Sequence, residues 1–339
     1  MLLSFSSRYG ISKASLFSVL LIIVLSVGLM GCGASEKTNN TASDTNQEVE
    51  NLKSTDFKVT LLGTGSPILS MERFGNATLV EAGDEKLLFD AGRGAALRLS
   101  QMDIMPGEIN KLFMTHLHSD HTIGIPDILL TGTLSVAGSR DTEFEVWGPT
   151  GTQKMMYTLK EAYEADIDNR IEGNYITPKG SESIAYDIEP GVVYEKNGVQ
   201  VIAFLVEHDI APAFGYRINY KGHSVVISGD TTYSENLVEN SENVDLLIHE
   251  VAAAEPTILE KNKELQNVLS KHTTPEQAGK IFSKAQPKLA VYSHVVLLGG
   301  LTEEEANLIE RTKENYAGEV VLGEDLMSFE IGEEILVKK

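Results

Sequence analysis

Short apolar runs that stop at a histidine or an aspartate recur along this chain. Runs rich in Val, Ile and Leu that are bounded by turn residues predict strands, and stretches of helical character lie between them. This alternation predicts an α/β fold in which helices cover the sheets. Polar groups at strand ends converge on one edge of such a fold. Six runs (LLF, LFMT, IAFLVE, VVISG, LLI and LAVYS) come directly before Asp90, His116 and His118, His208, Asp230, His249, and His294.

The segment THLHSDH holds three of the eight histidines in the chain. In an extended backbone His116 and His118 point to the same side and can bind one ion. Asp120 and His121 lie where the chain turns toward a helix and face a neighbouring position, so two adjacent ions fit the spacing better than one. The only cysteine is Cys32, so the ligands are nitrogen and oxygen, which suits zinc, with iron and manganese as alternatives. The structural alternative is a surface cluster, or a helix cap at Asp120.

THLHSDH resembles the H-x-H-x-D-H motif of the metallo-β-lactamase superfamily. The segments LLGTGSP and LLFDAGRG resemble the opening strand and the Asp-containing second strand of that family. The resemblance extends from Phe57 to about Glu330 and implies a four-layer αββα sandwich, with two mixed β-sheets and helices on both outer faces. It also implies two divalent ions, most simply Zn²⁺, held by His116, His118 and His208, by Asp120, His121 and His294, and by Asp230 as a bridge.

A finer resemblance is to the tRNase Z and arylsulfatase-like branch. The segment KHTTPEQAGKIFSKAQPKLAVYSH places His272 twenty-two residues before His294. In that branch the equivalent histidine protonates the leaving group, and the glutamate of a His-Glu motif, here Glu250, orients it. The resemblance implies a metal-bound hydroxide as nucleophile, and Asp120 as a catalytic residue that accepts a hydrogen bond from it.

Other polar residues suit supporting roles. Asp90 is expected to orient a ligand histidine rather than to bind metal, and His249 to be a buried, hydrogen-bonded residue of the core. A helix is predicted from Gly151 to Ile171, because one apolar stripe recurs at four-residue spacing. The stripe consists of Met155, Leu159, Tyr163 and Ile167.

The N-terminal residues have the order of a secretory signal. Two basic residues precede an uncharged apolar run, and LMGC resembles the lipobox of bacterial lipoproteins. We therefore expect a signal peptide at 1–31, a flexible polar tether at 32–55 with lipid on Cys32, and the hydrolase domain at 56–339. This predicts an extracytoplasmic lipoprotein anchored to the membrane through Cys32. The alternative is an uncleaved anchor helix, for which the apolar run is short.

The charge of the chain restricts the classes of substrate that it can bind. The formal net charge is −21, and residues 148–200 hold five basic residues against nine acidic ones. Nucleic-acid binding depends on Lys and Arg that neutralise phosphates, so a nucleic-acid partner is not expected. The main hypothesis is a hydrolase of small sulfate or phosphate mono- or diesters, including aryl esters. The alternatives are a tRNase Z-like 3′ endoribonuclease or phosphodiesterase, and a non-hydrolytic redox or metabolite-binding lipoprotein. Relatives of this kind are often homodimers.

Overall fold

The computed structural model describes residues 56–339. The predicted signal peptide, Cys32 and the tether lie outside the described residues. Within 56–339, every helix is too short or too polar to cross a membrane.

Residues 56–339 contain fifteen strands, eleven α-helices and three short 3-10 helices. The strands are Phe57–Gly63 (β1), Ala77–Ala82 (β2), Glu85–Phe89 (β3), Lys111–Phe113 (β4), Phe144–Gly148 (β5), Ser183–Asp187 (β6), Gly191–Lys196 (β7), Val199–Val206 (β8), Ala213–Tyr220 (β9), His223–Ile227 (β10), Leu246–Ala254 (β11), Leu289–Leu298 (β12), Val320–Leu322 (β13), Ser328–Ile331 (β14) and Ile335–Lys338 (β15). The helices are Ala95–Gln101 (α1), Ser119–Thr122 (α2), Ile125–Thr131 (α3), Thr152–Ala162 (α4), Glu164–Glu172 (α5), Glu235–Asn240 (α6), Pro256–Leu259 (α7), Lys263–Leu269 (α8), Pro275–Ala285 (α9), Glu303–Ala306 (α10) and Leu308–Lys313 (α11).

The strands form two mixed sheets. The first has eight strands in the order β15-β14-β1-β2-β3-β4-β5-β6, and the second has seven in the order β13-β12-β11-β10-β9-β8-β7. Parallel pairs, such as β10 with β11, place Val226 opposite Leu247. Antiparallel pairs, such as β1 with β2, place Val59 opposite Val80. Strands that are buried on both faces explain the near-continuous apolar runs of the sequence.

Three apolar clusters account for the layers. The largest lies between the sheets and includes the stacked rings of Phe89, Phe113 and Trp147, with centroids 5.0 and 4.8 Å apart. A second cluster joins α6, α9 and α11 to the outer face of the seven-stranded sheet. A third joins α1, α3 and α4 to the outer face of the eight-stranded sheet. The predicted αββα sandwich is confirmed.

Helix α9 shows how local sequence sets an element next to the predicted site. Thr274 caps its N-terminus by accepting from the backbone N–H of Gln277, and the Gln277 side chain accepts from the Thr274 N–H in return. Pro275 stands at the first turn, where its missing N–H costs nothing. Ile281 and Phe282 face the sheet. The capped start fixes the chain immediately after the HTT segment that contains the predicted proton donor.

The single helix predicted from Gly151 to Ile171 is wrong. The chain breaks at Tyr163, whose N–H bonds to the carbonyls of both Leu159 and Lys160, and then continues as α5. This tightened turn rotates the second half of the segment. Tyr163 consequently remains 39% exposed, while Ile167 is buried.

The prediction that His249 and His294 follow strand ends is also wrong in detail. Both lie within long strands, β11 and β12. The pairing of these strands shifts register after Glu250. Ser293 pairs with Glu250 and Val295 pairs with Val251, so that His294 is an extra residue between them, with φ of 43°. A bulge of this kind redirects a side chain out of the regular pleat. This bulge, and not the end of a strand, therefore sets the direction of the His294 side chain.

Candidate metal centre

The THLHSDH segment forms the loop after β4 and most of the short helix α2, which begins at Ser119. His116 and His121 are fully buried, whereas the side chain of His118 is 41% exposed. The loop packs directly on the chain after β3, where a Cβ on Gly92 would lie 2.6 Å from the carbonyl oxygen of Asp120. Glycine at position 92 therefore permits the close approach that brings this segment to the sheet edge.

Three histidines form the first donor group. The Nε2 of His116 lies 3.0 Å from the Nδ1 of His118, and that Nδ1 lies 3.3 Å from the Nε2 of His208. One nitrogen from each ring lies within 4.8 Å of the others. Burial lowers the pKa of His116 well below its usual value, and the neighbouring His121 lowers it further. Neutral imidazoles at this spacing can hold a divalent metal ion.

Asp120, His121 and His294 form the second donor group. Oδ2 of Asp120 lies 3.1 Å from Nε2 of His294 and 3.5 Å from Nε2 of His121. All three residues are buried.

Asp230, in the loop after β10, lies between the two groups. Its Oδ2 is 3.9 Å from His116 Nε2 and 4.0 Å from His208 Nε2. The same carboxylate is 3.4 Å from the Nε2 atoms of both His121 and His294. Burial alone would raise the pKa of Asp230, but His294 and His121 hold it well below the ordinary range. The carboxylate can therefore serve both groups at once.

Buried polar atoms at the centre lack partners, which tests whether the site suits metal. Nε2 of His121 and Oδ1 of Asp230 are buried and make no hydrogen bond. Unsatisfied buried polar atoms are uncommon, and an ion is one explanation for them. The nitrogen and carboxylate donors are those that divalent zinc, iron or manganese accept. The clusters therefore suit divalent metal binding.

Asp90 contacts His121 of the second donor group through the imidazole nitrogen that faces away from the group. Its Oδ2 lies 2.7 Å from Nδ1 of His121, and it accepts from the backbone N–H of Thr115 at 2.8 Å and from the Asn76 amide at 3.2 Å. A carboxylate in this position fixes the ring and tautomer of a ligand histidine. Asp90 thus lies against the outer nitrogen of a histidine in the second donor group.

His272 and Glu250 lie beside both groups. The His272 ring centroid is 5.5 Å from that of His208 and 5.8 Å from that of His294. Its Nδ1 is 3.3 Å from Glu250 Oε1 without hydrogen-bond geometry. Burial alone would lower the pKa of His272, but the Glu250 carboxylate more than offsets this, and the pKa rises to about 9. Without bound metal, His272 is therefore a protonated imidazole next to the donor groups at neutral pH.

His249 is separate from this constellation. It is fully buried, and its Nδ1 lies 2.6 Å from the carbonyl oxygen of Glu250. Burial lowers the pKa of His249. The expectation of a buried core histidine is confirmed.

Sequence reasoning missed several supporting groups. Asn76 contacts Asp90 and lies 3.4 Å from Nδ1 of His121. The backbone N–H groups of Thr231 and Thr273 both point to Glu250 Oε1, at 3.3 and 2.9 Å. Thr231 and Thr273 directly follow Asp230 and His272 in the sequence, which is a local signal for a supporting role. Asn76 gave no local signal.

Comparison with known proteins places this geometry in context. The family model described as "Anti-Pycsar protein Apyc1" matches residues 57–273. A ribonuclease Z of Mycobacterium avium (strain 104) is 32% identical over 273 residues, covering 80% of this chain and 96% of the relative.

Solved structures agree on the fold. The short form of human tRNase Z superposes with a TM-score of 0.59 at 27% identity, covering 81% of this chain and 99% of the other. The metallo-β-lactamase fold protein YhfI from Bacillus subtilis gives a TM-score of 0.61 at 20% identity, covering 80% and 98%.

Proposed function

This chain belongs to the anti-Pycsar protein Apyc1 family and to the metallo-β-lactamase superfamily of hydrolases, and on this premise we propose that it is a metal-dependent phosphodiesterase. The observation that carries the proposal is the contact of two donor groups with one carboxylate, Asp230, next to the His272–Glu250 pair. Relatives named ribonuclease Z and tRNase Z cleave RNA, whose backbone is a phosphodiester. These relatives therefore favour a phosphodiester substrate over the sulfate esters that the sequence analysis also proposed.

The proposed ligands follow the two donor groups. The three histidines of the first group would hold one divalent ion and the second group would hold another, with Asp230 within reach of both. Zinc suits imidazole and carboxylate donors, and iron or manganese would also be accepted. Such ions, when bound, lower the pKa of water and polarise phosphoryl oxygens.

The protein side chains supply positioning and proton transfer. Asp120 accepts a hydrogen bond from the attacking water and so orients it. His272, protonated beside the Glu250 carboxylate, donates its proton to the departing oxygen. Glu250 is in turn held by the backbone N–H groups of Thr231 and Thr273. General acid catalysis of this kind contributes about 10² to 10⁴ in rate.

A small diester is the substrate that the charge distribution supports. The chain carries a formal charge of −21, which opposes the long polyanionic surface of RNA. Helices α4 and α5 fall in the acidic stretch 148–200. The second candidate is a tRNase Z-like 3′ endoribonuclease, which is favoured by the 32% identity to the Mycobacterium avium ribonuclease Z.

A substrate panel tests the proposal. The metal-loaded full chain is assayed with bis(p-nitrophenyl) phosphate, p-nitrophenyl phosphate, p-nitrophenyl sulfate and a tRNA precursor with a 3′ trailer. We expect fastest hydrolysis of the diester. Preferred, salt-sensitive cleavage of the tRNA precursor would support the second candidate instead. A fully metallated protein that hydrolyses no phosphodiester would contradict the proposal and favour a redox or binding function.

We also propose that the protein is an extracytoplasmic lipoprotein. Support comes from the order of basic, apolar and small residues that ends at Cys32. Cys32→Ser should abolish incorporation of labelled fatty acid in cells, and unchanged labelling would contradict the anchor. An enzyme outside the cytoplasm does not meet precursor tRNA, so this result also bears on the substrate.

A further inference from the structure

Ligand histidines normally hydrogen-bond through the nitrogen that does not bind metal, because that bond fixes the tautomer and the ring orientation. Three of the five proposed ligand histidines follow this rule with partners from the loops around them, whereas Nδ1 of His294 is buried without a hydrogen-bond partner. The outer nitrogens face Asp90 Oδ2 at 2.7 Å from His121, Thr115 Oγ1 at 3.0 Å from His116, and the carbonyl oxygen of Lys271 at 3.0 Å from His208.

His118 differs from these histidines. Its Nδ1 faces the donor group, 3.0 Å from His116 Nε2 and 3.3 Å from His208 Nε2. Its Nε2 therefore points outward. The carboxylate that faces this nitrogen is Asp209, whose Oδ1 lies 3.9 Å away. Both side chains are 41% exposed, so a small rotation of either can close the distance to that of a hydrogen bond.

We propose that Asp209 is a positioning residue for His118. A neutral imidazole that binds an ion through Nδ1 must carry its proton on Nε2. The Asp209 carboxylate accepts a hydrogen bond from that N–H and holds the exposed ring in place. The inference rests on the proposed metal centre and is independent of the proposed substrate.

Asp209 could instead be a direct ligand, because its Oδ1 lies 3.3 Å from His208 Nε2. The geometry favours the outer position. Among residues 56–339, Asp209 belongs to none of the donor groups whose ligand atoms all lie within 4.8 Å of one another. An amide oxygen can replace the carboxylate as a hydrogen-bond acceptor, whereas a neutral amide is a poor ligand for zinc. Asparagine at this position therefore separates the two roles.

The test measures metal retention in the full chain. Wild type, Asp209→Ala and Asp209→Asn are loaded with zinc, and the equivalents retained are measured against rising concentrations of a chromophoric chelator. Asp209→Ala should weaken one of the two zinc equivalents by about 10- to 100-fold, and Asp209→Asn should stay near wild type. Glu207→Ala is the matched control, because it removes the same charge from an exposed residue on the other side of His208.

Two results would overturn the inference. Unchanged zinc retention in Asp209→Ala would show that His118 needs no such partner. Equal weakening in Asp209→Ala and Asp209→Asn would make Asp209 a ligand or a purely electrostatic contributor. Thermal denaturation of the metal-free variants, which should match wild type, checks that the exposed substitution leaves the fold intact. If wild type holds zinc but hydrolyses no diester, the proposed function fails while this inference is still tested.

Discussion

Replacing Asp90 by asparagine tests whether one buried carboxylate organises the second donor group. Asp90 is 1% exposed and has φ of 56°, a conformation that asparagine tolerates as well as aspartate. Its oxygens accept from the Thr115 N–H at 2.8 Å, the Thr115 hydroxyl at 2.9 Å and the Asn76 amide at 3.2 Å, and Oδ2 lies 2.7 Å from His121 Nδ1. The substitution preserves shape and backbone and removes the charge and one acceptor.

The magnitude follows from these contacts. The asparagine NH₂ replaces one acceptor oxygen, and both oxygens of Asp90 face donors, so at least one buried donor is left without a partner. Hydrogen bonds to charged groups contribute about 1.5–3 kcal/mol and an unsatisfied buried donor costs about 1–3 kcal/mol, so we expect unfolding of the metal-free protein to become easier by about 2–4 kcal/mol. For a domain of this size, this corresponds to a fall in Tm of roughly 3–7 °C. Metal affinity should also fall by about 10- to 100-fold, because the amide NH₂ must face the buried N–H of either Thr115 or His121 and so disturbs the loop or the ring of the second donor group.

Urea denaturation of the metal-free protein and chelator competition of the loaded protein measure the two effects. Asp84→Asn, at an exposed position in the turn between β2 and β3, is the control and should change stability by less than about 0.5 kcal/mol. An Asp90→Asn protein with the stability and metal affinity of wild type would refute the assigned role of the carboxylate.

Three further predictions follow from separate contacts. His272→Ala should retain its metal but lose about 10² to 10⁴ in kcat on an alkyl diester, with a smaller loss on a p-nitrophenyl diester, whose leaving group needs no proton; loss of metal would contradict this role. Burial alone would raise the pKa of Glu85, but Lys111 at 2.9 Å and the Tyr194 hydroxyl at 2.8 Å hold it below 4.5. Its contribution to stability is thus present above about pH 4.5 and lost as the pH falls through the lower folded-state pKa. In urea denaturation, Glu85→Gln should therefore lose less of its free energy of unfolding than wild type as the pH is lowered. Thr274→Ala removes the α9 cap and should reduce the free energy of unfolding by about 1 kcal/mol in the same assay.

Much of the site could be predicted because it depends on local sequence. Asp90, His116 and Asp230 follow β3, β4 and β10, and the length of each apolar run alone indicates where these strands stop. The same reasoning misplaced His294, because the apolar run continues as VVLL beyond it. The bulge that redirects His294 depends on pairing with β11, which a single segment does not encode.

Other features depend on segments that are distant in sequence. Asn76 reaches His121 only because the chain before β2 packs on the loop after β4. The relation of Asp209 to His118 requires the end of β8 to meet that same loop. The break at Tyr163 interrupts a regular four-residue stripe, and Ile167 is buried while Tyr163 stays exposed. Such tertiary contacts override local periodicity.

The zinc content of wild type and of Asp230→Ala is the decisive test of whether one carboxylate serves two metal ions. Asp230 lies within 4.0 Å of donor nitrogens from both groups. Elemental analysis of the zinc-loaded, desalted full chain should find two equivalents in wild type and the loss of at least one in Asp230→Ala. A wild-type protein that holds no metal, or an Asp230→Ala protein that retains both equivalents, would contradict a shared two-ion centre.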